Sequence, residues 1–335
     1  MLLINRTPLY AALVPNADDD DGIVALFLAA LTVDIGEDRL RFSDEQRPLM
    51  LVPQPPAIGD YHLTKAGASV CATGHVYAAN GSAHAAEARL FVGDRSFGVA
   101  AFGRRVWREA ADGVLVASAP APFDRIAMTW ENAFGGAVLA PTRLQKLPGG
   151  EEAIVPEHPE AFADNTDGTG FYTEPAGALG EPLPPLEDPD HLITKWDDRP
   201  DPVCFAPYPM HGGLRARAVI EDGVVDFSRH AHVLSRAAPR TTFPEVPPGT
   251  RIGLTGMRPG GEVLSFEVPP PPVTADATVG DRHRQLTLYV DAIDIDAEAR
   301  VARIVYRALF SYPLVRYEKR NLYVRPSPDL EKLLA

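Results

Sequence analysis

Apolar residues in this chain come in short runs, either alternating with polar neighbours or standing as compact blocks, and Gly, Pro, Asn and Asp punctuate them. Leu286, Leu288 and Val290 alternate with polar or small residues, as a half-buried strand requires. The block Ile23–Val33 (IVALFLAALTV) is about half the length of a membrane span and reads as a buried strand. ARLFVGD (Ala88–Asp94), SFGVAAFGRRVW (Ser96–Trp107) and GVLVASA (Gly113–Ala119) read as strands joined at Gly93-Asp94 and Asp112-Gly113. Two further hairpins follow. One joins RIGLTGM and EVLSFEV across Pro259-Gly260-Gly261; the longer joins Arg284–Asp296 to Arg300–Tyr312 across Ala297-Glu298-Ala299. Helix is expected only at Arg229–Ala237 and as a turn after Pro328. The pattern predicts a mainly β protein of antiparallel, sandwich-like sheets with few short helices.

Three regions divide the chain. Residues 1–127 and 215–335 are strand-rich, and residues 128–214 form a long Pro- and Gly-rich stretch; the three can equally form one continuous domain. The stretch contains Trp130, Phe134 and Phe171, and aromatics of that size are ordered only if something buries them. It is therefore expected to be folded and irregular. The chain's 33 prolines are about twice the usual share, which disfavours long helices and favours strands with structured loops.

Composition narrows the function classes. The formal charge of −13 argues against nucleic acid as the main partner and disfavours membranes. Cys71 and Cys204 are far apart in sequence, so no disulfide framework is indicated and a reducing, cytoplasmic setting is the simplest one. The opening MLLINRTPLYAALVP is too short and interrupted to read as a signal peptide. The acidic turn Asp18–Asp21 lacks the alternating ligands of a calcium loop.

The chemistry-bearing residues give weak signals. The chain has no G-x-S-x-G elbow, P-loop, H-E-x-x-H or paired C-x-x-C. His230 and His232, with His211 or His283, could begin a zinc site on a strand, but on a helix residues two apart face different ways. Glu187, Asp188, Asp190, Asp197 and Asp198 cluster on loops, where turn-forming acids are common. Cys204, among apolar and Pro residues, reads as a buried inert thiol. Neither catalysis nor a metal or cofactor is expected.

The order of motifs in the middle stretch resembles the domain of unknown function 2169 family, found beside type VI secretion genes. The elements are WENAFGG (Trp130–Gly136), NTDGTGF (Asn165–Phe171), EPLPPLEDP (Glu181–Pro189) and PDPVCFAPYPMHGGLRAR (Pro200–Arg217). FGRRVW (Phe102–Trp107) resembles the family's preceding strand, and the two C-terminal hairpins its later ones. The chain departs from the pattern at LTKAGASV (Leu63–Val70) and FSRHAHVLS (Phe227–Ser235).

The resemblance implies a non-catalytic adaptor or chaperone. It would bind a type VI secretion effector, often one with a PAAR-like domain, and help load it onto the valine–glycine repeat (VgrG) spike. Candidate partner contacts are Trp130, Glu131, Phe134, Phe171, Tyr172, Trp196 and Phe205, because aromatic anchors dominate interface energies. Gly135, Gly136, Gly168 and Gly170 are expected to serve backbone conformation. The alternative is a carbohydrate-binding or glycoside-processing β-sandwich protein, which would need opposed carboxylates across a cleft.

Overall fold

The computed structural model describes residues 1–17, 22–36, 39–52, 59–63, 65, 67–138, 142–146, 152–156, 160–210, 220–221, 224–225, 234–313 and 319–334. The Ile23–Val33 block lies within the strand Gly22–Ile35, at the heart of a seven-stranded sheet. Across that sheet run Tyr10–Ala17, Gly22–Ile35, Val301–Pro313, Tyr289–Asp296, Ala68–Thr73 and Thr242–Phe243, with Leu40–Phe42 paired farther along Gly22–Ile35. Neighbours are antiparallel except Tyr289–Asp296 and Ala68–Thr73, which run parallel with Cys71 opposite Asp294. A five-stranded antiparallel sheet orders Leu186–Glu187, Arg95–Phe102, Ala85–Val92, Arg251–Thr255 and Leu264–Glu267. A four-stranded sheet orders Leu2–Asn5, Arg320–Pro326, Val273–Val279 and Arg282–Leu286. These sheets enclose one hydrophobic cluster running from Leu9 to Leu330, which gives the mainly β, open sandwich-like architecture that the pattern predicts.

Burial on both faces explains why Gly22–Ile35 reads as an unbroken apolar run rather than an alternating one. Ala25, Phe27, Ala29, Leu31 and Val33 face the main cluster. Leu26, Leu28 and Ala30 face the other way, beneath Leu49, Tyr61 and Leu63. By contrast Val273–Val279 alternates buried and half-buried residues, as a strand covered on one face should.

The hairpins at Gly93-Asp94, at Asp112-Gly113 and at Pro259–Gly261 form as expected. The longest hairpin differs. Arg284–Asp296 is not one strand: Arg282–Leu286 pairs with Val273–Val279 in the four-stranded sheet, and the chain changes sheet at Thr287-Leu288 before Tyr289–Asp296 begins. The alternation of Leu286, Leu288 and Val290 runs straight across the break, although Arg282–Leu286 is exposed except at Leu286 and Tyr289–Asp296 is buried along most of its length, so the sequence pattern carries no mark of the change. The expected helix at Arg229–Ala237 lies partly outside the described residues, and its end, Ser235–Ala237, is irregular. The acidic turn Asp18–Asp21 also lies outside them. The C-terminal helix spans Pro328–Leu334.

A layer of buried charge fastens Asp60, Leu63 and Lys65 to the second face of the large sheet. Lys65 Nζ lies 3.0 Å from Asp291 Oδ2 and donates to Ser69 Oγ at 3.0 Å. Asp291 sits where the register of its strand slips, between Val290 and Ala292, and also meets Arg307 Nη1 at 3.2 Å. Arg307 donates to the carbonyls of Leu63 and Lys65. Asp60 pairs with Arg303 and Arg236, and Asp294 receives Arg303 at 2.8 Å and Arg236 at 3.2 Å. Lys65, Asp291, Arg236, Asp60 and Arg303 are all buried. Such groups are tolerable only as a mutually satisfied set.

Removing one member leaves the others charged and enclosed. Asp60→Ala is expected to destabilise the protein by about 3–5 kcal/mol, read as a lower urea midpoint. Asp294 also confers acid sensitivity. Burial by itself would raise its carboxyl, but Arg236 and Arg303 outweigh that and hold it below the usual range. Its contribution is therefore complete above the unfolded value of about 3.9 and is lost as pH falls through the lower folded value. The unfolding free energy should hold level between about pH 7 and 5 and decline below about pH 4, less steeply in Asp294→Asn.

Candidate functional site

The irregular stretch is built on WENAFGG. Too short for a full helical turn, Trp130–Asn132 forms a single 3-10 turn and Phe134-Gly135 pairs in parallel with Thr169-Gly170. The Trp130 indole is buried edge-on against Tyr208, ring centres 4.8 Å apart at 71°. Its Nε1 donates to the carbonyls of Ala206 (3.1 Å) and Pro207 (2.9 Å), joining the first family element to the last. The buried Asn165 amide donates to the carbonyls of Trp130 (2.7 Å) and Phe134 (3.0 Å), joining the first to the second. Tyr208 returns the connection by donating its hydroxyl to the Asp164 carbonyl.

The glycines let these strands of backbone touch. At Gly135 φ is +152°, and a Cβ would fall 2.0 Å from the Asn165 carbonyl oxygen. At Gly168 a Cβ would fall 2.4 Å from Asn165 Nδ2, though φ there needs no glycine. Gly136 and Gly170 combine positive φ with similar crowding. Close approach is thus the common reason for all four.

Beyond this junction lies a satellite core of Trp107, Phe134, Ala178, Leu183 and Ile193. Phe162 bridges it, edge-on to Phe134 at 4.8 Å and tilted against Phe171 at 5.9 Å. Its outer rim is half-exposed. Phe171, Tyr172 and Trp196 pack on the satellite core. Arg199 gathers them: its guanidinium lies 4.9 Å from the Phe171 ring centre and donates to the carbonyls of Tyr172 and Trp196. The Tyr172 hydroxyl donates to the Pro182 carbonyl at 2.7 Å, and burial pushes its pKa up.

The seven aromatic and acidic candidates therefore separate. Trp130, Phe134 and Phe205 are buried, Trp130 and Phe205 in the main cluster between the sheets and Phe134 in the satellite core; exposed anchoring is not their place in this structure. Phe171, Tyr172 and Trp196 form the accessible rim, and Glu131 is exposed on the 3-10 turn. Sequence reasoning passed over Asn165, Tyr208 and Arg199, which make the junctions. Their signal was the presence of strong donors inside Pro- and Gly-rich elements.

The acids are engaged structurally. Glu187 is buried against Arg105 and accepts the Ile193 N–H at 2.7 Å; burial raises its pKa despite the guanidinium. Asp188 meets Arg240 at 2.7 Å; burial opposes ionisation, but the Asp190 N–H and Arg240 hold its pKa down. Asp198 accepts the N–H groups of Thr194 and Lys195, both at 2.8 Å. Cys204 is buried, and burial pushes its thiol pKa up. His211, His230 and His232 lie outside the described residues, while exposed His283 faces Thr278 Oγ1 at 3.1 Å. Among the described residues no three His, Cys, Asp or Glu side chains converge as a metal site.

Asn165→Ala would remove a donor from the Trp130 and Phe134 carbonyls, the former keeping the Ala133 N–H. It is expected to cost roughly 1–3 kcal/mol and to make the 128–210 stretch cleave faster under limited proteolysis than the sheets. Unchanged stability and an unchanged cleavage map would show that the amide is not the junction.

Among the described residues no helix is long and apolar enough to cross a membrane. Neither the curated proteins nor the solved structures yield a match to this chain. Residues 20–307, which hold the large sheet's central strands, the irregular stretch and its rim, match the family described as "Uncharacterized protein conserved in bacteria (DUF2169)". The chain belongs to this bacterial family.

Proposed function

We propose that this protein is a non-catalytic adaptor of type VI secretion. In the cytoplasm it binds an effector, often one with a PAAR-like domain, and helps load it onto the VgrG spike. The observation that carries the reading is the accessible rim of Phe171, Tyr172 and Trp196, held in place by Arg199 on an ordered irregular stretch of a family member. Rigid aromatics on a buried base suit a surface that must hold a client without a covalent step, because little side-chain freedom is lost on contact. The acids that a glycosidase reading would use, Glu187, Asp188 and Asp198, are occupied by Arg105, Arg240 and backbone N–H groups. That favours the adaptor.

Co-purification with the products of neighbouring genes tests this reading. Wild type is expected to retain a toxin. Phe171→Ala/Trp196→Ala, with an unchanged circular-dichroism spectrum, should lose at least about tenfold of that retention, as loss of two interface aromatics implies. Retention of no gene product by wild type would reject the adaptor reading.

A further inference from the structure

A second accessible surface lies where Arg284–Asp296 divides between sheets. Arg282–Leu286 is the last strand of the four-stranded sheet, and among the described residues no strand pairs with its outer edge. Its side chains from Arg282 to Gln285 are all exposed. Beside it lies a groove of about 680 Å³, bounded by Arg284–Val290, by Tyr306–Leu309 and by the segment Pro244–Pro248. Tyr289 and Leu309, on its wall, are 63% and 48% exposed, which is unusual for residues of this size on strands of a central sheet.

Two features say what the groove takes. Pro244, Pro247 and Pro248, which line the groove together with Glu245 and Val246, have no N–H, so that segment is poor in donors with which to close the groove by backbone pairing. The open edge thus keeps its hydrogen-bonding groups for an added strand. The charge is also specific. Arg282 and Arg284 make no ion pair among the described residues, although the chain as a whole carries −13. Nearby Arg320 and Lys319 continue the positive strip, since Arg320 is opposite Val279 and Val279 is opposite Arg282. Basic side chains on an edge strand repel basic strands, oppose apolar ones through the cost of burying their charge, and accept an acidic one.

We infer that the Arg282–Leu286 edge and its groove bind an extended segment of the effector by strand addition. That segment carries carboxylates facing Arg282 and Arg284, and apolar side chains against Leu288, Tyr289 and Leu309. The inference rests on the adaptor reading for the identity of the partner, but not for the chemistry of the segment. The aromatic rim and the groove then form two separate contacts, and the effector is held by a folded surface at one and by an extended strand at the other.

The probe is a short fluorescein-labelled peptide alternating glutamate and valine, titrated by anisotropy into the full chain at low salt. It is expected to bind at least about tenfold more tightly than its lysine–valine counterpart, and to weaken by a similar factor when alternate backbone nitrogens are methylated. Arg282→Glu/Arg284→Glu should invert the preference, and Tyr289→Ser/Leu309→Ser should weaken both peptides. The methylated peptide leaves the protein untouched, so misfolding of a variant cannot mimic its effect. Equal binding of both peptides, or indifference to methylation, would overturn strand addition and leave the arginines as guards of an edge. In the co-purification, a toxin retained equally by wild type and by Arg282→Glu/Arg284→Glu would overturn this groove as an effector site while the adaptor reading stands. If wild type retains no toxin, the adaptor reading fails and the peptide titration still decides the groove.

Discussion

The structure depends on a shortage of backbone donors. Each proline contributes a carbonyl and no N–H, so a chain with 33 of them has more acceptors than its own backbone can satisfy. Side chains supply what is missing. Trp130 donates to the Pro207 carbonyl, Arg105 to Pro184, Tyr172 to Pro182, Tyr306 to Pro269, Ser327 to Pro271 and Arg303 to Pro48. Most of these donors also pack a ring or an alkyl stem against the interior, so that one residue supplies both burial and hydrogen bonding. That is how a Pro- and Gly-rich stretch is held together where its strand pairings are short. The aromatics and arginines of 128–210 are its cross-braces, and the rim of Phe171, Tyr172 and Trp196 is as rigid as the braces beneath it.

The same solution appears in ionic form on the second face of the large sheet. There Arg303 and Arg307 satisfy the carbonyls of Pro48, Leu63 and Lys65, and Gln46 satisfies that of Thr32. Asp60, Asp291 and Asp294 neutralise the guanidinium and ammonium groups that do so. Buried ion pairs contribute little net stability against apolar packing, but they penalise any arrangement that parts them. The lattice accordingly fixes where the covering segment lies. This assigns a structural role to Lys65, in the segment where the chain departs from the family's early pattern.

The sheets also determine which surfaces stay open. The long strands Gly22–Ile35 and Val301–Pro313 are covered on both faces along most of their length, yet Leu309 near the far end emerges into the groove with Tyr289. The change of sheet at Thr287-Leu288 places the free basic edge beside that groove. On the proposed adaptor reading, the aromatic rim and the open strand edge hold a folded surface and an extended segment together, and two modest contacts joined in this way reach high avidity while each remains releasable.

By itself the sequence determined the class of structure and its local turns. Alternation and blocks of apolar residues mark the central strand Gly22–Ile35 and the main hairpins, because the two-residue period of a strand is a property of the chain alone, while Ala68–Thr73, Val273–Val279 and Arg320–Pro326 went unread. Gly93-Asp94, Asp112-Gly113 and Pro259–Gly261 mark their hairpins, because turn geometry is set by a few consecutive residues. The order of WENAFGG, NTDGTGF and the later elements identified the family and the glycines that backbone crowding requires. Burial within the irregular stretch was not legible. Trp130, Phe134 and Phe205 look the same in sequence as Phe171, Tyr172 and Trp196, and only the positions of Tyr208, Asn165 and Arg199 separate packed rings from rim. The division of Arg284–Asp296 between sheets was equally hidden, since the alternation of Leu286, Leu288 and Val290 runs straight across it. Pairing partners, sheet edges and charge neutralisation are set by residues hundreds of positions apart, such as Lys65 with Asp291. A linear pattern carries the period of each element; only the folded chain decides what each face meets.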